Sequence, residues 1–347
     1  MQWGTPEDVQ EYIGWSELFR RLLDPFETQN AQMGALIVPM AGMGKRFSDE
    51  GYSLSKPLIP VSGRPMVLQA VQDLPLAKQH VFVLRSDMPG HKKVTGLIKD
   101  AYPEAVIESV PELTDGQACT SLIGLDALEQ RVGTVAQPIT ICACDNGVLY
   151  SNAALWQLVG DPEVDVIIWG VRGHTNAIRH PNMYGWIDAA HDGRITRISV
   201  KTPLNAPKSD PVVIGTFTFK RASDFRNAIS RLVARDGRIN GEFYIDACIN
   251  DALAMGLRCH LFEVDHFVSW GTPNDLRTFE YWQSCFHKWN LHPYCLDKDI
   301  RIPNQVVPKL QSKYVSKVPF IPGHSQSTDS FGMHIRENRA LMRLAAK

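Results

Sequence analysis

The sequence has almost no net charge: across 347 residues, 36 Lys and Arg face 37 Asp and Glu, leaving −1. That balance removes the electrostatic case for a nucleic-acid or anionic-membrane partner, so any phosphate must be held by local positive charge. Apolar runs are short, none nearing the roughly 20 residues that cross a bilayer, and no basic-then-apolar leader opens the chain. Seven cysteines, an odd number without a C-x-x-C, fit neither a disulfide framework nor a zinc site. Cys142 and Cys144, two apart on an apolar run, read instead as strand neighbours on one face, and a reducing cytoplasm is the expected location. Two phosphate motifs are missing as well. There is no G-K-[ST] to make a Walker loop, and Gly42-Met-Gly44 places Phe47 where the third glycine of a dinucleotide turn belongs.

What stands in their place is Pro39-Met-Ala-Gly-Met-Gly-Lys-Arg-Phe47, followed by Lys56-Pro-Leu-Ile-Pro60. Ala35-Leu-Ile-Val38 reads as a buried strand, and the chain then breaks into a loop of small residues at Gly42 and Gly44. Such a loop can bring backbone N–H groups up to an anion, and φ > 0 costs glycine nothing. Arg46 and Lys56 follow, so strand, glycine loop, Arg and Lys-Pro together suit a nucleoside triphosphate. Further on, Thr114-Asp-Gly-Gln-Ala-Cys-Thr120 is a second loop before a helix. Glycine there allows close approach of a ring, and an amide can read a base edge; a helix N-cap at Thr114 or Asp115 is the plain alternative. Ala143-Cys-Asp145-Asn146 ends an apolar strand with an acid, at the position where ligands collect in open α/β sheets.

On these residues the chain resembles the sugar-phosphate nucleotidyltransferases, whose opening G-x-G-x-R…K-P is met by Gly42, Gly44, Arg46, Lys56 and Pro57. It looks most like their capsule- and lipopolysaccharide-associated branch, through a K-P-L-I-P-V-x-G-x-P-M run that Gly63, Pro65 and Met66 complete, and the likeness extends over about residues 34–285. The resemblance implies an α/β, Rossmann-like nucleotidyltransferase fold, with a mixed, mostly parallel sheet and a smaller antiparallel extension. It implies transfer of NMP from an NTP to a sugar phosphate or similar phosphorylated metabolite, with release of pyrophosphate. That reaction would depend on Mg2+ and feed surface polysaccharide synthesis. The partners would be an NTP and a sugar phosphate, with no nucleic acid and no membrane.

Carried over residue by residue, Ala41, Gly42, Met43 and Gly44 would hold the triphosphate, with Arg46 on the pyrophosphate oxygens. Lys56 would lie near the α-phosphate, Asp145 would bind Mg2+, and Gly116 and Gln117 would face base and ribose. Met183-Tyr-Gly-Trp186, Val200-Lys-Thr-Pro203 and Asn240-Gly-Glu-Phe-Tyr244 are similar to the family's sugar-pocket segments. Gly185 would then admit the acceptor, Lys201 neutralise its phosphate and Glu242 accept from its hydroxyls. The chain departs from the family twice. Val200 stands where an acid often precedes the lysine, and Ser269-Trp-Gly-Thr272 stands where many members write D-x-G-T. The second metal ligand is therefore open between Asp246, Asp265 and no further protein carboxylate, since Mg2+ commonly keeps waters. Asp246 is equally placed to cap a helix that follows it. The missing acid keeps a catalytically weak nucleotide-binding homologue as a rival. A glycosyltransferase of the related fold is another, although those carry D-x-D where this chain has Cys144-Asp-Asn146. The only D-x-D, Asp297-Lys-Asp299, lies far from the sheet pattern.

Strands are expected at 81–84, 105–107, 139–142 and 164–169, with helices at 65–74 and 119–130 between them, an alternation that implies βαβ units and a parallel sheet. Residues 185–188, 195–200 and 212–219 read as antiparallel strands forming a second wall. From about Pro293 the chain turns Pro-, Ser- and Lys-rich, which reads as a tail over 293–347 with one terminal helix at Met333–Ala346. One repeat affects the N-terminus. Trp3-Gly-Thr-Pro-Glu-Asp8 recurs as Trp270-Gly-Thr-Pro-Asn-Asp275, and Tyr12, Trp15 and Phe19 align with Phe279, Trp282 and Phe286. Either one N-capping motif is used twice, or residues 1–30 are a remnant of the closing helix of a preceding copy. The second reading makes 31–292 the nucleotidyltransferase domain, in a homo-oligomer or tandem-domain context.

Overall fold

Apolar, β-branched runs of four to nine residues make the strands of the main sheet, and amphipathic helices cover them. The computed structural model describes residues 4–24 and 31–316. From the N-terminus these are α1 (Pro6–Arg21), β1 (Met33–Pro39), α2 (Lys45–Asp49), β2 (Pro60–Val61), β3 (Arg64–Pro65), α3 (Met66–Gln72), β4 (Ala77–Arg85), α4 (His91–Ala101) and β5 (Val106–Val110). Next come α5 (Gln117–Val132), β6 (Ile139–Cys142), β7 (Asn146–Leu149), α6 (Asn152–Gly160), β8 (Val166–Val171), α7 (Thr175–Arg179), β9 (Gly185–Ala189) and β10 (Ile195–Val200). The rest are β11 (Val212–Phe219), α8 (Ala222–Ala234), α9 (Ile245–Ala254), β12 (Cys259–Glu263), β13 (His266–Ser269), α10 (Pro273–Lys288) and α11 (Val307–Ser316).

The chain divides into two units. Among the described residues, one spans 31–276, and the other joins 4–24 to 277–316. In the larger unit, β5, β4, β1 and β6 lie side by side and parallel, with Ile37 of β1 opposite Val81 on one side and Ile141 on the other. β11 then runs antiparallel between β6 and β8, and β12 extends β8 in parallel. The mixed, mainly parallel sheet expected from the sequence is present, but β11 belongs to its middle. The second wall is the β9–β10 hairpin, attached where Trp186 meets Val212. Alternation along β1 sends Ala35 and Ile37 to a layer with α5, α8 and α9, and Leu36 and Val38 to the opposite layer with α3 and α4. Both faces of the sheet are thereby buried. Cys142 and Cys144 share one of those layers, as their spacing predicts, and all seven cysteines are free thiols.

The smaller unit changes the reading of both chain ends. Residues 293–316, expected to be tail, bury Tyr294, Leu296, Ile302, Leu310 and Tyr314 to 5 % exposure or less. Tyr294 donates its hydroxyl to Asp299 Oδ2 at 2.9 Å, and Arg301 donates its backbone N–H to Asp299 Oδ1 at 3.0 Å. The Asp297-Lys-Asp299 motif thus supplies a buried structural acceptor. α1 packs in this unit through Tyr12, Trp15 and Phe19 against α10. The terminal helix expected at 333–346 lies outside the described residues. No described helix is long and apolar enough to cross a membrane.

Candidate active site

The carboxyl ends of β1 and β6 open onto one cleft of the larger unit, of about 200 Å³, lined by Ala41, Gly42, Gly44, Lys56, Gly116, Gln117, Asp145 and Glu242. Strand β1 delivers the glycine loop. Met40 continues the strand pairing by donating its N–H to Val83 O at 2.8 Å, and the chain then turns at Gly44, which has φ +65°. A Cβ on Gly44 would sit 3.2 Å from Lys56 Cβ, so the glycine lets the loop and the Lys-Pro turn (Lys56–Leu58) close on each other. Nothing lies within 4 Å of a Cβ at Gly42, whose backbone faces open space. Arg85, at the end of β4 and 6 % exposed, steadies the loop by donating to Ala41 O at 3.1 Å and Met43 Sδ at 3.2 Å. The sequence reading missed this residue, since only the pairing of β4 with β1 brings it to the loop.

Lys56 and Asp145 meet at the centre. The ammonium donates to Asp145 Oδ2 in a half-buried ion pair with both side chains about one-fifth exposed. Burial pushes the Lys56 ammonium down, but Asp145 and the neighbouring Cys144 outweigh it and hold the group above its ordinary value. Asp145 is fixed from behind, its carbonyl accepting from Trp270 N–H at 2.8 Å. A Cβ on Gly271 would lie 3.0 Å from Asp145 Oδ2 and 3.4 Å from Ser269 Oγ, so a side chain at 271 would crowd both groups.

Beside the cleft is a second cluster. Arg46, exposed on α2, lies within electrostatic reach of Lys56, Tyr184, Lys201 and Tyr244. Lys201 takes a left-handed backbone, φ +59°, donates to Met183 O at 2.6 Å and places its ammonium 5.4 Å over the Tyr244 ring. Burial depresses Lys201, while Asp246 and Glu242 act the other way. The structure therefore brings Arg46, Lys56, Asp145, Lys201, Glu242 and Asp246 to one end of the sheet.

Several expected roles change. Gly116 lines the cleft, but its missing side chain serves the protein itself: at φ +119°, a Cβ would fall 2.7 Å from both N and O of Phe243. Its space is taken by a strand-like contact in which Phe243 N donates to Asp115 O and Ala118 N donates to Phe243 O. Neither Thr114 nor Asp115 caps α5. The N-cap is Gly116, and Thr114 pairs with Thr120 at 2.5 Å. At Gly185 the Asp246 carboxylate fills the position a Cβ would need, so this glycine makes room for a protein acid where an approaching acceptor was expected. Asp246 does not cap α9, whose N-cap is Tyr244. Asp265 sits at the opposite end of β13 from Ser269, beyond the His266–Leu149 pair. Three residues separate them, or about 13 Å of strand. It is not brought to the cluster.

The acid that does reach this region is Asp275, in the first turn of α10. It accepts from Ser269 Oγ at 3.2 Å and from Asn176 Nδ2 at 3.2 Å, and Asn176 also donates to Tyr184 OH at 3.1 Å. Burial, then Asp275, raises the Tyr184 phenol to about 12, while Arg46 opposes them. Asp275 thus stands behind Ser269, where the family pattern has its own acid.

Asp246 gives the cluster a titration near neutrality, because burial raises its carboxyl to about 6 against the pull of Lys201. Its folded value lies above the unfolded one, so the native state binds the proton more tightly and stability falls as pH rises from about 4 to 6. Asp246→Asn removes that penalty. The melting temperature of the variant should gain on the parent between pH 4 and about 6.5, then run parallel above it; calorimetry across that range checks this.

The sequence matches no family model and no curated protein. The structure is similar to solved proteins. A nucleoside-diphosphate-sugar pyrophosphorylase from Vibrio cholerae superposes with a TM-score of 0.57 at 21% identity, covering 70% of this chain and 98% of the other. The inositol-1-phosphate CTP transferase of T. maritima gives 0.54 at 13% identity, covering 74% and 96%. An apo UDP-glucose pyrophosphorylase gives 0.53 at 14% identity, covering 74% and 99%. At such identities the likeness establishes the fold, which is the Rossmann-like fold of nucleotidyltransferases.

Proposed function

We propose that this protein transfers NMP from an NTP to a sugar phosphate, releasing pyrophosphate, in a step that feeds surface polysaccharide synthesis. The observation that carries the reading is the Lys56–Asp145 pair, set where the glycine loop meets the end of β6, with Arg46 and Lys201 beside it. Its support for the polysaccharide role is the likeness of residues 56–66 to the capsule-associated branch. The acceptor's phosphate oxygen attacks the α-phosphorus while the bond to the β-bridging oxygen breaks. Charge accumulates on the α-phosphoryl oxygens and on the leaving pyrophosphate, so positioned cations do most of the catalysis. Lys56 serves the first and Arg46 the second. The open backbone at Gly42 holds the triphosphate, and Gln117 and Glu242 line the pocket toward base and sugar.

Nucleotidyltransferases of this fold generally use a divalent metal. Asp145 Oδ2, which accepts from Lys56, and Ser269 Oγ both border the Cβ position of Gly271, and are oxygens of the kind a small hard cation takes. Mg2+ would be held by Asp145 with triphosphate oxygens and waters, and would neutralise phosphate charge. Among the described residues no group of three metal-ligating side chains is present.

Lys201→Ala should raise the KM for the sugar phosphate roughly tenfold, the loss of one charge-assisted bond, with a smaller change in kcat. A pyrophosphate-release assay over a panel of NTPs and sugar 1-phosphates with Mg2+ tests the function. Ser269, in place of an acid, favours one rival, a nucleotide-binding homologue without turnover; thermal stabilisation by an NTP with no pyrophosphate from any pair would establish it instead.

A further inference from the structure

The sequence repeat is also a structural one, and its two halves touch. Trp15 of α1 stacks on its own counterpart in α10, Trp282, with centroids 6.4 Å apart and planes at 21°. The flanking aromatics cross over: Tyr12 meets Phe286 at 6.0 Å, and Phe19 meets Phe279 at 5.6 Å. Tyr12–Trp282 at 5.9 Å and 54° likewise exchanges with Trp15–Phe279 at 6.5 Å and 53°, and Phe19 meets its counterpart Phe286 at 5.4 Å. Outside the repeat of aromatics, Tyr12 also meets Trp289 at 6.5 Å, whose aligned position is Leu22. A central self-pair with crossed flanking pairs is the signature of a two-fold axis, in which each residue i meets j and each j meets i. Two stretches of one chain reproduce what an isologous dimer interface would show. Only one of the three aligned contact positions differs in residue, Tyr12 against Phe279.

From this geometry we infer that the aromatic face of α10 is self-complementary, and that α1 occupies, within one chain, the surface through which α10 pairs with α10 of a second copy. The face has the required size. Aromatic side chains bury about 150–250 Å² each, so six of them cover roughly 900–1,500 Å², reaching the ~1,200 Å² at which specific interfaces begin. It is also sealed: Phe279, Trp282 and Phe286 are 4 %, 2 % and 1 % exposed. Displacing α1 uncovers a contiguous aromatic stripe that water does not tolerate. Its intramolecular occupant keeps the chain from pairing there, and the inference does not depend on the reaction proposed above.

The test is light scattering on the full chain carrying Trp15→Glu and Phe19→Glu, which expel α1 without altering α10. The mass relative to the parent should double with rising protein concentration, and adding Trp282→Glu should return it to the parent value. A folded double variant whose mass stays at the parent value at every concentration overturns the inference. If the double variant fails to fold, a second chain decides: residues 5–21 are replaced by the sequence of residues 272–288, so that two identical helices must pair. Parental mass and a melting temperature within a few degrees of the parent support self-complementarity; loss of the folded unit refutes it.

Discussion

Replacing Asp145 with alanine should lower the rate of pyrophosphate release by at least about a hundredfold, the cost of removing one preorganised charge-stabilising group. Two effects combine. The variant loses the carboxylate that, like Ser269 Oγ, borders the Cβ position of Gly271, and it leaves the Lys56 ammonium half-buried without its anion. An unpaired ammonium is free to hold the triphosphate tightly in the ground state, so nucleotide KM should fall or stay level while kcat drops. That split separates loss of chemistry from loss of binding. Asp145→Asn keeps the shape and should show nearly the same deficit. Turnover unchanged in both variants would remove Asp145 from the reaction.

The largest effect on stability is expected at Gly116. Its φ of +119° and ψ of 178° fall where side chains are almost never found, which costs about 1–3 kcal/mol before any clash. An alanine Cβ would also press on the Phe243 backbone from 2.7 Å, and that backbone cannot step aside without breaking the bonds to Asp115 and Ala118. Gly116→Ala should lower the melting temperature by roughly 5 °C or more. Gly42→Ala, with open space around the added methyl, should leave it nearly unchanged. Equal melting temperatures for both variants would show that the 116–243 contact is not the constraint it is described as.

These two positions also show how far the sequence could be read. Strand, glycine loop and Lys-Pro are local in the chain, and the strand-end acid of β6 follows from an apolar run of fixed length, so both were legible. Glycines 116 and 185 were legible only as places where something approaches. What approaches is a backbone 127 residues away in one case and the Asp246 carboxylate in the other, and no local pattern carries that. Asp275 was hidden by its own context. In Thr5-Pro-Glu-Asp8 the same residue closes a capping box, accepting from Gly4 and Thr5 N–H at 3.1 Å. In the second copy it turns instead to Ser269 and Asn176. Two matching motifs thus do different work, and only long-range contacts separate them. The folded character of 293–316 was masked by composition: Tyr294, Leu296 and Ile302 are buried from turns, and the helical spacing of Val307, Leu310 and Tyr314 spans only the short α11.

The most direct measurement supplies an NTP labelled at its α-phosphorus together with a sugar 1-phosphate, and follows label and pyrophosphate together. Nucleotidyl transfer places the label in an NDP-sugar with one pyrophosphate released for each product formed. Orthophosphate as the released species, or label that never leaves the nucleotide with any pair, would contradict it.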